Sequence, residues 1–462
     1  MTATIEAPTP AVEQAGRREW IGLAVLALPA LLVSLDVFVL VLALPKLAAS
    51  LHADSTQQLW IMDTYGFMIA GFMVTMGTLG DRIGRRKLLL IGAAAFGVAS
   101  IAAAFSTSAG MLIAARAVLG IAGATLAPST LSLIGTMFKN PRQRAEAIGI
   151  WAGCFTVGAI IGPVVGGFLL EHFWWGSCFL LGVPAMVLLL VIGPKLLPEY
   201  RDETAGRLDL PSVALSLGAI LPVVYGVKEL AHGVHLVPVL ALAAGLAVGY
   251  VFVNRQRTLD DPLLDLSLFA AKAFRTTLGG MLLFSMLGGT TMLFVAQFFQ
   301  IAQQLSPIGA ALALLPGMAA STVSFLAAPV LARHFAPSRL IAAGVALAAS
   351  GMVILALVDP AAGPVWPALG FAVTSLGVGP MVALGTDLVI GSVPLRKAGA
   401  ASALAQTVNE FGYSLGIATV GTLGNAVVRT HGLPSGLHVV AGLAAAAFAI
   451  LVWFVAKNLR TA

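Results

Sequence analysis

Charge is scarce in this sequence. Only 10% of its 462 residues are Asp, Glu, Lys or Arg, against ~25% in ordinary soluble proteins, and 59% are hydrophobic. A water-soluble fold of this length has no way to hide so much apolar surface, so lipid must be the solvent for most of the chain. Cysteine is scarcer still. Cys154 and Cys178 both fall in apolar stretches, which argues against a disulfide framework and against a zinc site. The seven His residues lie mostly in loops without metal-ligand spacing, and no nucleophile–base set stands out, so an intramembrane enzyme is the weakest reading. A Gly-x-x-x-x-Gly-Lys-Ser/Thr loop is missing, as is any soluble segment long enough for an ATPase domain. No cofactor, metal or nucleic-acid partner is expected.

What is present is a series of apolar windows, each near the ~20 residues that a membrane helix takes. Fourteen are read: 20–44, 59–80, 88–106, 110–137, 146–170, 176–194 and 210–229, then 236–254, 274–303, 309–332, 339–358, 365–391, 399–427 and 438–457. The first has no small-residue cleavage site behind it and is expected to stay as a span. With the amino terminus inside, 22 of the 26 Lys and Arg residues fall on inner segments. Three fall outside (Lys46, Lys228, Arg429) and Arg116 lies within a span. That bias follows the positive-inside rule and predicts an even number of spans with both termini cytoplasmic.

Two inner loops, 195–209 and 255–273, are longer and more charged than the rest and bracket helices seven and eight. The segments Gly77–Gly92 and Pro329–Gly344 are equally long and match at Leu79/Leu331, Lys87/Arg339 and Gly92/Gly344. Repeated halves are the expected architecture of secondary transporters. The reading is a cytoplasmic segment 1–19, a six-helix half 20–194, a linker 195–273 carrying two extra helices, a six-helix half 274–457 and a tail 458–462. The fold class is thus an all-α polytopic membrane protein.

The run Gly77-Thr78-Leu79-Gly80-Asp81-Arg82-Ile83-Gly84-Arg85-Arg86 resembles the loop between helices two and three of the major facilitator superfamily. Gly77 and Gly80 would let two helices approach closely, and Gly84 would permit a tight turn. Asp81 is expected to pair with a nearby Arg or to sit at a helix N-terminus, as a latch that breaks when the inner gate opens. A plain basic loop fixing topology is the alternative. Arg116, within Ala115-Arg116-Ala117-Val118-Leu119-Gly120, resembles the superfamily's fourth-helix Arg, implicated in proton transfer. A charge at that depth is costly unless it faces a partner or a cavity. The bland reading is an Arg bonded to backbone carbonyls. In helix five, Gly158, Gly162-Pro163 and Gly166-Gly167 resemble the antiporter motif of drug exporters, a flat helix face with a Pro kink.

Four acids lie inside spans: Asp36, Asp63, Asp387 and Glu410. Leu35-Asp36, Trp60-Ile61-Met62-Asp63-Thr64-Tyr65 and Asn409-Glu410-Phe411-Gly412-Tyr413 resemble fourteen-helix drug–proton antiporters, in particular their quaternary-ammonium and multidrug branch. The resemblance covers essentially the whole chain. It implies proton coupling and cation recognition at Asp36, Asp63 and Glu410, with Arg116. The physics agrees, because a carboxyl in a low-dielectric cavity holds its proton more tightly, and a nearby cation expels it. Asp36 is about midway along helix one and is read as the principal switch. Asp63, near the outer end of helix two, is read either as a recognition acid or as an acid simply hydrated there. Asp387 is expected in a gate ion pair with Arg396 and Lys397.

Phe38, Tyr65, Met68, Phe284, Met292, Phe294, Phe298 and Tyr413 accompany the acids, and aromatic faces and thioethers suit poorly hydrated cations. Phe38, Tyr65, Gln297, Gln300, Asn409 and Tyr413 are the candidate cavity lining. The outer connection between helices thirteen and fourteen, roughly 428–437, is shorter than in several relatives. The expected function is proton-coupled export of lipophilic, often cationic drugs by a protein working as a monomer in a bacterial cytoplasmic membrane. Its partners would be small lipophilic molecules, protons and lipid. A dedicated exporter of one neutral or zwitterionic natural product is the second reading.

Overall fold

The computed structural model describes residues 14–201, 209–230, 235–259, 262, 266–391 and 398–458. They form fourteen membrane helices. The first eight are α1 (Arg17–Leu51), α2 (Ser55–Ile83), α3 (Arg85–Ala104), α4 (Ala109–Met137), α5 (Pro141–His172), α6 (Ser177–Leu196), α7 (Leu210–Leu230) and α8 (Leu236–Thr258). Then come α9 (Lys272–Gln297, continued by a π turn Phe298–Ala302), α10 (Pro307–Leu331) and α11 (Pro337–Ala356). The last are α12 (Val365–Leu376, Pro380–Leu384, Gly385–Gly391), α13 (Ala398–Gly416, Ile417–Gly421, Thr422–His431) and α14 (Leu433–Asn458). Thirteen are long and apolar enough to span on their own. The fourteenth is α2, whose arms Ser55–Met73 and Thr75–Ile83 are bent by 51° and are taken together as one span. The described residues contain no strand.

Several helices overrun the apolar windows. α1 passes through Pro45 and Lys46 to Leu51. Pro is tolerated because neighbouring groups re-satisfy the backbone it frees. The Lys46 ammonium donates to the Leu170 carbonyl at the end of α5, so the cation that marks the window's edge in sequence is bonded in the fold. At 1.5 Å per residue α1 is ~52 Å long, well beyond a ~30 Å hydrocarbon core. Capping sets the starts: Asp54 accepts from the Gln57 N–H ahead of α2, Ser108 from Met111 ahead of α4, and Ser306 from Gly309 ahead of α10. Gly84 (φ +110°) alone joins α2 to α3, and Gly432 (φ +83°) alone joins α13 to α14. A β-carbon is strained at both angles. The short outer connection read at 428–437 therefore shrinks to one residue.

Since the chain enters α1 at one end, all even-to-odd connections lie at that end, with the loops richest in Arg and Lys. We call it the basic end and its opposite the far end. α1–α6 and α9–α14 are the two halves, each knitted by glycines. β-Carbons added to Gly158, Gly162 and Gly166 of α5 would lie 2.6 Å from Leu31 O, 3.1 Å from Phe38 Cβ and 2.9 Å from Val39 Cγ1, all on α1. The antiporter-motif glycines thus form one flat face, as their i, i+4, i+8 spacing requires. Gly92 abuts Thr125 of α4, and its repeat partner Gly344 abuts Gly377 and Pro380 of α12, so the matched glycines occupy matched crossings. In the second half, Gly412 and Gly416 bring α13 onto Leu282, Ser285 and Met286 of α9.

The halves meet at the far end. A β-carbon on Gly167 of α5 would stand 2.8 Å from Ile308 Cα and 2.9 Å from Pro307 O of α10. Midway along α2 and α13 the halves also touch, where Phe67 and Phe411 pack edge-on at 5.9 Å. At the basic end, no described residue lies within 4 Å of a β-carbon built on Gly77, Gly149, Gly153 or Gly279. The close approach expected at Gly77 is therefore not made in this conformation. The α7–α8 hairpin stands outside both halves. Val224 of α7 packs with Phe67 and Ala418, across the seam between α2 and α13, while Leu236, Leu246 and Tyr250 of α8 are exposed.

Candidate functional site

Between the halves lies a cavity of about 500 Å³, a size typical of small-molecule sites. Its walls come from α1, α2, α4 and α5 on one side and from α9, α10, α12, α13 and α14 on the other; the hairpin contributes nothing. The contact of Gly167 with Pro307 and Ile308 lies at its far end, whereas among the described residues no such close approach is made at Gly77, Gly149, Gly153 or Gly279 toward the basic end. Aromatic residues dominate it: Phe38, Trp151 and Phe155 face Phe284, Phe325 and Phe371. Two charged residues are on the wall, Arg116 and Glu410.

Arg116 is 1% exposed and held three ways. Its Nε donates to the Ile61 carbonyl at 3.2 Å, its Nη1 to Asp36, and its guanidinium lies 4.3 Å from the centre of the Tyr65 ring. The carbonyl bond of the bland reading is thus present, together with an acid as partner. Asp36, an isolated switch in the sequence, is an ion-pair partner eighty residues away from its cation. A buried pair of this kind is retained at the expense of desolvating both ions, and neither member is disposable alone.

Glu410 is different. Among the described residues its carboxylate accepts from the Gln406 amide, 3.1 Å to Oε1, and Glu410 lines the cavity. Gln406, Asn409, Glu410 and Tyr413 follow an i, i+3, i+4, i+7 pattern, one polar stripe on α13, and all four line the wall. The Asn409 Oδ1 accepts from Ser285 of α9 at 3.0 Å, across the crossing that Gly412 makes close.

Other candidates sit elsewhere. Asp63 is 0% exposed and is not on the cavity wall. Because α2 starts at Ser55 rather than near 59, Asp63 is two turns deep, and the hydrated position read from sequence does not occur. Phe38, Tyr65, Asn409 and Tyr413 line the cavity with Phe284 and Met292. Gln297 and Gln300, at the far end of α9, do not, nor do Met68, Phe294 and Phe298. Asp387 is off the wall, and its expected partners Arg396 and Lys397 lie outside the described residues. Trp151, Phe155, Gln406 and Ser285 were not singled out from sequence. Gln406, one turn before Glu410, carried a readable signal.

At the basic end, Asp81 pairs with Arg85 within its own loop (2.7 Å to Nε, 2.5 Å to Nη2). The segment after α6 clasps this loop. Glu199 accepts from the Arg86 backbone N–H at 3.0 Å and stands 3.5 Å from its Nε, and the Arg85 N–H donates to Tyr200 O at 2.9 Å. Arg86 Nη1 donates to Leu197 O at 2.9 Å. Arg82 is exposed. Among the described residues no group of His, Cys, Asp and Glu is arranged to hold a metal.

Two pseudo-repeated six-helix halves around a central cavity are the architecture of a secondary membrane transporter. The sequence profile of the Major Facilitator Superfamily matches residues 26–417, and the chain belongs to that family. It is a multi-pass transporter and not an enzyme. Among curated proteins it is similar to the multidrug efflux pump LfrA of Mycolicibacterium smegmatis, 43% identical over 95% of this chain and 87% of that one. It is also similar to the methyl viologen resistance protein SmvA of Salmonella typhimurium, 36% identical over 91% and 86%. The tetracenomycin C resistance and export protein of Streptomyces glaucescens is 31% identical over 90% and 78%. Among solved structures, a POT family transporter in complex with 5-aminolevulinic acid has a TM-score of 0.72 at 16% identity, covering 95% of this chain and 96% of that one. The nucleoside transporter NupG has a TM-score of 0.67 at 14% identity, covering 96% of this chain and 100% of that one. These two share the fold.

Proposed function

We propose that this transporter exports lipophilic, mainly cationic drugs in exchange for protons, from a bacterial cytoplasmic membrane in which the basic end faces the cytoplasm. The observation that carries the proposal is the isolation of Glu410: an aromatic cavity offers a ligand one carboxylate, while Asp36 is already neutralised by Arg116. Relatives that are a multidrug efflux pump and a methyl viologen resistance protein support the same reading.

With the basic end open, a cation entering from the cytoplasm or the inner leaflet stacks on the aromatic walls and pairs with Glu410, which favours the ionised carboxylate and releases the proton inward. When the far-end contacts part, a proton from outside neutralises Glu410 and removes the electrostatic hold on the cation. Proton and cation compete for one group, and that competition is the exchange. The Asp36–Arg116 pair shapes the field beside the cavity. The Asp81–Arg85 pair, intact in this conformation, and the Glu199 clasp hold the α2–α3 loop as one piece rather than latching the gate, and the protein works as a monomer.

Everted vesicles loaded by ethidium uptake supply the test. Uptake should collapse with a protonophore, show no sodium requirement, and be lost in Glu410→Gln. Uptake that ignores the protonophore would sink the proposal. The second reading, export of one neutral or zwitterionic natural product, draws on the Ser, Thr and Asn groups of the wall and on the tetracenomycin C export protein among the relatives. A susceptibility panel in an efflux-deficient host separates them: one protected compound favours it, a range of cations the first.

A further inference from the structure

We propose that Asn409 is a specificity-determining hydrogen-bond donor, so that the preferred cargo is a lipophilic cation carrying a carbonyl or similar acceptor a few ångströms from its charge. The inference rests on the reading of Glu410 as the cation-binding group. Its own basis is the commitment of the neighbouring amide. The Ser285 hydroxyl donates to Asn409 Oδ1 at 3.0 Å, and Ser285 is held there because Gly412 lets α13 approach α9 until a β-carbon on it would lie 2.9 Å from Ser285 Cβ. With its oxygen engaged, Asn409 leaves its N–H groups as the end presented to the cavity it lines. The next residue, Glu410, is engaged only on Oε1, by Gln406. Consecutive positions on one helix therefore offer a fixed donor and a free carboxylate oxygen in the same wall.

The surroundings make that donor selective. Phe284, Phe371 and Phe448 make much of the same side apolar, and the hydroxyls of Thr374 and Ser375 are the other polar groups of that wall on α12. A donor facing an apolar cavity stays short of a partner whenever a pure hydrocarbon cation binds, and sites built around a hydrogen bond discriminate against analogues that lack it. Charge then selects at Glu410 and acceptor chemistry at Asn409, independently of each other.

The test uses a matched pair of ligands on the purified full-length protein in nanodiscs: lauroylcholine, and an alkyltrimethylammonium of the same chain length without the ester. Each competes with ethidium, read by fluorescence polarisation. Wild type should bind the ester about 3–10-fold more tightly, the range of one neutral hydrogen bond. Asn409→Leu should bring the ratio to about one by weakening the ester alone. Ser285→Ala, which removes one hydroxyl from the wall and frees the amide to turn, should lower the ratio part of the way, and it tests the idea even if the Leu variant folds poorly. Glu410→Gln should weaken both ligands and keep the ratio. No ester preference in wild type, or a ratio untouched by Asn409→Leu and Ser285→Ala, overturns the role of Asn409. Undiminished binding of both ligands by Glu410→Gln overturns instead the reading of Glu410 on which it rests.

Discussion

The two halves share a fold but treat their deep acids in opposite ways. In the first half Asp36 of α1 is paired with Arg116 of α4, which is further fastened by the Ile61 carbonyl and the Tyr65 ring. In the second half Glu410 of α13 has an amide for a neighbour and faces the cavity. The gate loops differ in the same sense. Asp81 answers Arg85 in the first half, while Arg333 stands at the position that the repeat aligns with Asp81 in the second. The backbones differ too: the π turns among the described residues, Phe298–Ala302, Pro380–Leu384 and Ile417–Gly421, all fall in the second half. Such turns interrupt regular helical bonding and are frequent at functional sites. A repeated scaffold thus yields one half in which Asp36 is cancelled by Arg116 and another in which Glu410 is left for a ligand to cancel.

The sharpest way to break this contrast is to remove the counter-charge. Arg116→Gln should destabilise the protein by about 3–5 kcal/mol, because it strands a buried carboxylate. Adding Asp36→Asn should restore most of that loss. Thermal unfolding of the three variants in detergent reads it out, and a single variant as stable as the double would mean that the pair does not couple. Next comes the cavity-facing acid. Glu410→Gln should leave the melting temperature near wild type and lower proton-driven efflux of a monocation by at least about tenfold, the kinetic equivalent of ~1.4 kcal/mol. If it instead unfolds the protein while Arg116→Gln does not, the roles of the halves are reversed.

A third variant tests the surface along which the halves part. Gly167→Val places a branched side chain against Pro307 O and Ile308 Cα. Overpacking of this sort costs ~1–3 kcal/mol, and a bias of that size moves a two-state equilibrium by roughly 5–150-fold. The far end should open, so a cysteine placed on α10 near Ile308 should label faster from outside. Unchanged labelling would mean that the far end is already open in the resting population.

The smallest effect concerns the hairpin, which belongs to neither half. At its basic end, Asp209 accepts from Arg255 at 2.8 Å and from Ser212, and Gln256 donates to Ser212 at 2.7 Å. The Arg255 guanidinium, together with Ser212, holds the Asp209 carboxyl below the usual carboxylate range. A depressed folded-state value means that the stabilisation is complete above the ordinary carboxylate range and fades as pH falls through the folded value. Hydrogen-exchange protection at the start of α7, taken relative to the intrinsic rate at each pH, should therefore fall at acid pH in wild type. In Asp209→Asn it should already be low at neutral pH, with no acid step. The pair is partly solvated, so a change of no more than ~1 kcal/mol is expected.

Much of this architecture was legible along the chain. Apolar windows and the distribution of Arg and Lys are local properties, and they placed fourteen helices to within a few residues at most ends. Gly84 was readable as a turn because few other residues adopt its backbone angle. The flat face of α5 was readable because i, i+4, i+8 spacing is a property of one helix. Where the reading stopped short, the reason was helix extension beyond the window, as at Asp63, or a contact between distant segments, as at Glu199 and Arg86.

The sequence by itself determined the number of spans, the repeat and the identity of the buried charges, because hydrophobicity and periodicity act within single helices. Tertiary structure decided which of those charges meet. Asp36 and Glu410 look alike in sequence, each an acid deep in an apolar helix. Only the rotation of each helix about its axis, set by glycine crossings such as Gly158 on α1 and Gly412 on α9, aims one carboxylate at Arg116 and the other into the cavity. Axial rotation depends on every neighbour a helix packs against, and no local pattern in the chain encodes it.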